Sequence, residues 1–144
     1  MSALVIAIGN RLRADDGVAH HLADLVHDAT LLRVHQLTPE LAADLDHHDP
    51  VIFLDADPAT EGPSLERIHP PRETTAALSH SMNPETLVAI ATRLYGFQGE
   101  AWICGLYARD FSASTELSPQ AAAQLGQAAH LVQQLLEARC TNPR

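Results

Sequence analysis

The feature that most constrains the fold is a set of short, fully apolar runs rich in β-branched residues. Residues 4–8 read Leu-Val-Ile-Ala-Ile, and residues 51–54 read Val-Ile-Phe-Leu. Strands that are apolar at every position are typical of parallel sheets buried on both faces, whereas half-exposed strands alternate between apolar and polar residues. Segments with helical spacing of apolar residues separate these runs. The chain therefore predicts an α/β fold, a three-layer sandwich in which a mostly parallel, twisted five-stranded sheet carries helices on both faces.

The predicted elements follow one another in the order expected for such a sheet. With 144 residues, the chain is expected to form a single domain over 1–144. No internal repeat, low-complexity tract or interdomain linker interrupts it. The predicted strands are Leu4–Ile8, Leu31–Val34, Val51–Leu54, Ser64–Ile68 and Ala101–Leu106, and the predicted helices are Asp16–Asp28, a short one opening at Thr38, Asn83–Leu94 and Ser118–Ala138.

Composition excludes several classes of protein. Nine basic residues stand against 18 acidic ones, which gives a net charge of −9 and argues against a nucleic-acid or anionic-membrane partner. No apolar run approaches the ~20 residues that span a bilayer, and the first residues lack the pattern of a signal peptide. Two distant cysteines, Cys104 and Cys140, make no disulfide framework, and Cys104 fits a core position. A cytoplasmic location and a monomer are the default expectations.

Three polar residues fall where a parallel sheet binds ligands, at the carboxyl ends of its strands. Asp16 follows the first strand, Asp55 directly follows the third, and His80 lies in the loop before the helix at Asn83. If the first and third strands are neighbours, the two carboxylates converge on one crevice that His80 could reach. Two oxygen ligands and one nitrogen ligand suit a divalent ion such as nickel or zinc and leave coordination positions open. The pattern indicates a catalytic metal site, because a bound ion polarises a carbonyl and lowers the pKa of water.

Simpler interpretations of these residues stay open. Asp16 is also what a helix start attracts, and His80 is also an ordinary loop histidine. Asp55 is harder to dismiss, because a charge at the rim of a core costs stability unless something pairs with it. Other histidines compete for a role. His20 lies one helical turn after Asp16 and is otherwise expected on an exposed helix face, and the His47-His48 pair is expected in a solvated loop.

Other enzyme classes lack their motifs. Gly9-Asn10 follows the first strand, but the pattern G-x-G-x-x-G is missing, and two carboxylates begin the next helix, where they would repel a pyrophosphate. The chain has no phosphate-binding loop and no G-x-S-x-G elbow. No nucleotide cofactor is therefore expected, and an unrelated nucleotide-binding domain is the third-ranked alternative.

Four segments of the chain, taken together, resemble the signature segments of one enzyme family in content, order and spacing. They are Ile-Gly-Asn-Arg-Leu-Arg-Ala-Asp-Asp-Gly-Val at 8–18, Phe-Leu-Asp-Ala at 53–56, Ser-His-Ser at 79–81 with Pro84-Glu85 following, and Gly105 with Thr-Glu-Leu-Ser-Pro at 115–119. The chain thereby resembles the nickel–iron hydrogenase maturation endopeptidases over nearly its whole length.

This resemblance implies a function and assigns roles to residues. The implied activity is removal of a C-terminal extension from the hydrogenase large-subunit precursor after nickel insertion. The family's three metal-binding positions fall on Asp16, Asp55 and His80, which would also be the catalytic residues. Nickel would be transient and carried by the substrate. Our hypothesis is that the three residues bind the ion, which positions and polarises the scissile peptide, and that Asp16 or Asp55 accepts a proton from water. The alternative is a non-enzymatic, metal-dependent binding module for the nickel-loaded large subunit.

Overall fold

A computed structural model describes residues 1–69 and 82–141 of the chain. Strands and helices alternate along most of it, except that β4 follows β3 and α5 follows α4, and short 3₁₀ turns lie at Ala14–Gly17 and Pro39–Leu41. The strands are β1 (Leu4–Ile8), β2 (Thr30–Val34), β3 (Val51–Asp57), β4 (Ser64–Arg67) and β5 (Ala101–Tyr107), and the helices are α1 (Val18–Ala23), α2 (Ala42–Leu45), α3 (Pro84–Tyr95), α4 (Pro119–Ala123) and α5 (Leu125–Thr141).

The five strands form one sheet in the order β2-β1-β3-β5-β4. β1 pairs in parallel with both β2 and β3, and β3 pairs in parallel with β5. Among the strands of the described residues, only the edge strand β4 runs antiparallel, against β5. The mostly parallel five-stranded sheet predicted from the sequence is therefore confirmed, and the apolar runs occupy β1 and β3, where both neighbours are strands.

Helices cover both faces of the sheet, as predicted. Alternate residues of β1 point to opposite faces, so Val5 and Ala7 pack in one core cluster while Leu4, Ile6 and Ile8 pack in the other. The first cluster includes buried residues of α1 and α5, and the second includes buried residues of α2 and α3. Each face of the sheet thus has its own apolar core.

Local sequence signals set several helix ends. The Asn83 side chain accepts a hydrogen bond from the Thr86 amide at the start of α3, and the Ser118 hydroxyl accepts one from the Ala121 amide at the start of α4. α3 ends at Gly96, whose φ of 72° is the left-handed conformation that glycine adopts freely.

Two predicted helices have different bounds in the structure. The helix expected over Asp16–Asp28 is a 3₁₀ turn followed by only six residues of α1, and Asp28 has a φ of 64° that no α-helix contains. The last predicted helix is split into α4 and α5 at Gln124. The Gln124 side chain bonds both the amide and the carbonyl of Tyr107, which fixes this junction against the end of β5.

Cys104 lies in the core, as predicted from its apolar strand. It is fully buried in β5, and burial raises the pKa of its thiol to about 12. In the part of the chain that the structure describes, no helix has both the length and the apolar character needed to cross a membrane.

Candidate active site at the carboxyl edge of the sheet

The topology brings the two predicted carboxylates to one edge of the sheet. β1 and β3 are parallel neighbours, so the loop that leaves β1 and the end of β3 lie side by side. Asp16 belongs to the 3₁₀ turn that follows β1. Asp55 lies within β3, which continues to Asp57 instead of ending at Leu54 as predicted. The extension arises because residues 55–57 still pair with β5, although their side chains are polar.

Asp16 is held by the backbone of its own loop. One carboxylate oxygen, Oδ2, accepts a hydrogen bond of 2.8 Å from the Asn10 amide, and the Asp16 amide donates to the Arg13 carbonyl at 2.9 Å. Gly9 makes this approach possible. Its φ is 144°, and a Cβ atom there would overlap the Asp16 carbonyl oxygen. The glycine after β1, noted in the sequence as a possible nucleotide signal, therefore allows the loop to close on Asp16.

Asp55 is the most electrostatically perturbed carboxyl group at this edge. Burial, followed by the charges of Asp16, Asp57 and Glu85, raises its pKa from 3.8 to about 7 against one opposing backbone hydrogen bond. The contribution from Asp16 shows that the two predicted residues are close enough to interact. The edge therefore concentrates negative charge, which a cation would neutralise.

The chemistry of this donor set fits a divalent ion. Carboxylate oxygens that repel one another in a part-buried position are stabilised when they share a cation. His80 lies outside the described residues, so its position relative to the two carboxylates stays a prediction. Within residues 1–69 and 82–141, no cluster of three or more histidine, cysteine or acidic side chains is arranged to hold a metal ion.

Asp15 has a role that the sequence did not reveal. Its side chain is fully buried and accepts hydrogen bonds from the amides of Arg109, Asp110 and Ser118 and from the Ser118 hydroxyl, at 2.8 to 3.1 Å. Burial alone would raise the pKa of Asp15, but these hydrogen bonds outweigh it and hold the pKa below its usual value. Asp15 thus ties the loop after β1 to the loop after β5.

Further backbone contacts reinforce this connection between the two loops. The Ala14 amide donates to the Ser114 carbonyl at 2.7 Å, and the Asp15 amide donates to the Asp110 carbonyl at 2.8 Å. Because both bonds are made by the residues just before Asp16, they fix the N-terminal part of the turn that carries it. A sequence of two adjacent aspartates gave no sign that the first is structural and the second faces the edge.

Of the competing histidines, His20 differs from its sequence-based interpretation, whereas the His47-His48 pair lies in an exposed loop as predicted. His20 is not on an exposed helix face: its side chain is 5% exposed and its Nε2 lies 2.9 Å from the Gly9 carbonyl oxygen. His48 lies just before β3, at the opposite edge of the sheet, where its Nδ1 is 3.2 Å from the carbonyl and hydroxyl oxygens of Ser2. Neither histidine joins the two carboxylates in a group suited to a metal ion within the described residues.

The fold and the position of this edge define a class of protein: the chain has the fold of the hydrogenase maturation endopeptidases. The structure of the hydrogenase maturating endopeptidase HybD from E. coli matches 96% of this chain and 93% of its own, with a TM-score of 0.72 and 19% identity. The structure of a hydrogenase 2 maturation peptidase from Thaumarchaeota archaeon SCGC_AB-539-E09 matches 95% of this chain over 99% of its own length, with a TM-score of 0.66 and 26% sequence identity. The structure of the [NiFe] hydrogenase maturation protease HybD from Thermococcus kodakarensis matches 94% of this chain over 99% of its own length, with a TM-score of 0.66 and 21% sequence identity.

The structural matches confirm the resemblance found in the sequence. At the level of sequence, no protein-family model and no curated protein matches the chain. The structural matches nevertheless extend over nearly the full length of both partners. The shared fold therefore does not depend on one motif.

Proposed function

We propose that this protein is an endopeptidase that removes the C-terminal extension of a nickel–iron hydrogenase large-subunit precursor after nickel insertion. Solved structures with this fold are named hydrogenase maturation endopeptidases and proteases, which supports the reaction class. The observation that carries the proposal is the position of Asp16 and Asp55 at the same carboxyl edge of the sheet, in the turn after β1 and in the neighbouring parallel strand β3.

In this proposal, Asp16, Asp55 and His80 recognise the nickel that the substrate carries. The enzyme then acts only on precursor that has received its metal, because the carboxylates repel each other until a cation lies between them. The ion belongs to the substrate and leaves with the product.

Asp55 also suits a role in proton transfer. In the metal-free protein, its pKa of about 7 lets it hold or release a proton near neutral pH. A cation shared with Asp16 lowers this pKa again, so Asp55 takes its ionised form when the nickel-loaded precursor binds. The proton of the attacking water is then accepted by whichever of Asp16 and Asp55 has a carboxylate oxygen that the ion leaves free.

Processing of purified precursor tests the proposal. The protein is incubated with nickel-loaded and nickel-free large-subunit precursors encoded by its source genome, and their masses are measured. We expect shortening of the loaded precursor alone. Asp55→Asn should abolish this shortening, while Asp44→Asn, an exposed aspartate of α2, should process at the normal rate.

Two results would contradict the proposal. Binding of the loaded precursor without shortening would support the non-enzymatic binding module. Normal processing by Asp55→Asn would show that Asp55 is neither a metal ligand nor a base of consequence.

A further inference from the structure

His20 lies directly beneath the loop that carries Asp16, and its hydrogen bond fixes its tautomer. Its Nε2 is 2.9 Å from the Gly9 carbonyl oxygen, which can only accept a hydrogen bond. Nε2 must therefore carry the proton, so that the neutral ring has an unprotonated Nδ1. Within the described residues, this buried Nδ1 has no hydrogen-bond partner. The ring is thus oriented by a single hydrogen bond, the one to Gly9.

The same peptide unit that accepts this hydrogen bond also holds Asp16. The carbonyl of Gly9 and the amide of Asn10 are the two ends of one planar peptide group. The carbonyl accepts from His20 at 2.9 Å, and the amide donates to Asp16 Oδ2 at 2.8 Å. A hydrogen bond to the oxygen of an amide polarises the group and strengthens the bond donated by its N–H. His20 and Asp16 are therefore connected through one peptide plane.

This peptide plane needs an external anchor because it follows a glycine. Gly9 has a φ of 144° and no side chain, so its own backbone preferences restrict the orientation of the 9–10 peptide less than those of other residues would. The Gly9 amide is fixed on the Val34 carbonyl at 3.0 Å, but this bond lies on the other side of the Gly9 Cα. A rotated peptide would direct a carbonyl oxygen instead of an N–H toward Asp16.

We propose that His20 is a positioning residue: its Nε2–H locks the Gly9–Asn10 peptide so that the Asn10 amide fixes Asp16 Oδ2 and thereby orients the carboxylate toward Asp55. The consequence for catalysis rests on the proposed function, whereas the coupling of His20 to Asp16 does not. His20 touches neither substrate nor reacting atoms and acts only through the peptide.

Two variants separate this role from simple packing. His20→Gln keeps an N–H donor at about the reach of Nε2, and His20→Phe fills the space without a donor. In ¹H–¹⁵N spectra, we expect the Asn10 amide proton to shift upfield in His20→Phe and to stay near its wild-type position in His20→Gln. Asp16→Asn, which replaces the charged acceptor, should produce an upfield shift as well.

The same variants have a kinetic signature. Loss of a group that orients a metal ligand typically costs about 10- to 100-fold in activity or metal affinity. We expect kcat/KM for the nickel-loaded precursor to fall by about that factor in His20→Phe, because Asp16 both recognises the ion and positions it, and to recover substantially in His20→Gln.

The wild-type protein provides a test that needs no variant. The imidazole ¹⁵N shifts should show a protonated Nε2 and an unprotonated Nδ1 at neutral pH, and a protonated Nδ1 would overturn the inference even if His20→Phe fails to fold. The inference would also be overturned if the chemical shift of the Asn10 amide proton were the same in His20→Phe as in the wild type. If the spectra behave as expected but wild-type protein does not shorten the precursor, the proposed function fails and the positioning role holds.

Discussion

Replacing Asp55 with asparagine should make the protein more stable at pH 8, although the same substitution removes a carboxylate that the candidate site needs. In the folded protein, burial and neighbouring carboxylates raise the pKa of Asp55 from 3.8 to about 7. At about 1.36 kcal/mol per pH unit, this rise corresponds to about 4 kcal/mol of unfavourable free energy when the group is ionised. Because Asp55 is only part-buried, solvent screening reduces the expected gain for Asp55→Asn to about 2–4 kcal/mol.

The pH dependence of this gain follows from linkage. Below the unfolded-state pKa of 3.8, Asp55 is protonated in both states and costs nothing. As pH rises toward about 7, the unfolded chain loses the proton while the folded protein keeps it, so the stability of the wild type falls. Above that pH the penalty is constant. The difference in unfolding free energy between Asp55→Asn and wild type should therefore be near zero at the acidic end and largest at pH 8.

Urea unfolding at several pH values, with a chelator present and circular dichroism as the readout, measures this difference. Asp44→Asn removes an exposed carboxylate and should show little difference from wild type at any pH. Equal stability of Asp55→Asn and wild type at pH 8, or a difference that does not grow with pH, would refute the electrostatic account of this edge.

Three further outcomes follow from other parts of the structure. Asp15→Asn should lower the unfolding free energy by about 2–4 kcal/mol at neutral pH, because the amide cannot accept from all the donors that surround Asp15. This loss should shrink in urea titrations as pH falls, since the lowered pKa of Asp15 stabilises the fold only while the carboxylate is ionised. Gly9→Ala should cost more than about 2 kcal/mol in thermal or urea unfolding, whereas Gly126→Ala in α5, where a Cβ atom meets nothing within 4 Å, should be neutral or gain up to about 1 kcal/mol. Equal effects of the two glycine variants would contradict the strained approach at Gly9. In a Cys140→Ser background, Cys104 should not react with a thiol reagent at pH 8 until denaturant is added, because the thiol is buried and burial raises its pKa to about 12. Mass spectrometry measures the labelling, and rapid labelling of the native protein would contradict the core position of Cys104.

The sheet and the helical layers on its two faces could be predicted from the sequence, because a fully apolar run indicates a strand that is buried on both faces. The runs in β1 and β3 lack polar residues, which requires neighbours on both sides and helices on both faces. The sequence predicts that β3 ends at Leu54, three residues too early, because polar residues such as Asp55 and Asp57 are typical of the end of a buried strand. Their backbones nevertheless pair opposite Gly105 and Tyr107 of β5, and such pairing is independent of side-chain polarity.

The candidate site was predictable only in part. Asp16 and Asp55 follow strands that a parallel sheet places together, so their proximity was accessible from the order of elements. The role of Asp15 was not, because its hydrogen-bond donors at Arg109, Asp110 and Ser118 lie more than 90 residues away in sequence. His20 was assigned to an exposed helix face, because nothing local indicates that the Gly9 carbonyl needs a donor.

The close approach of Gly9 to residue 16 has a consequence for how the loop after β1 can vary. The nearest atoms to the missing Cβ are the carbonyl oxygen and carbon of Asp16, which every amino acid possesses. The close approach of the two backbones is therefore compatible with any side chain at residue 16. At the proposed nickel-recognition site, Asp16→Glu would extend the reach of the acid by one methylene, and so alter the choice among cations, while Gly9 keeps its place against the backbone of residue 16.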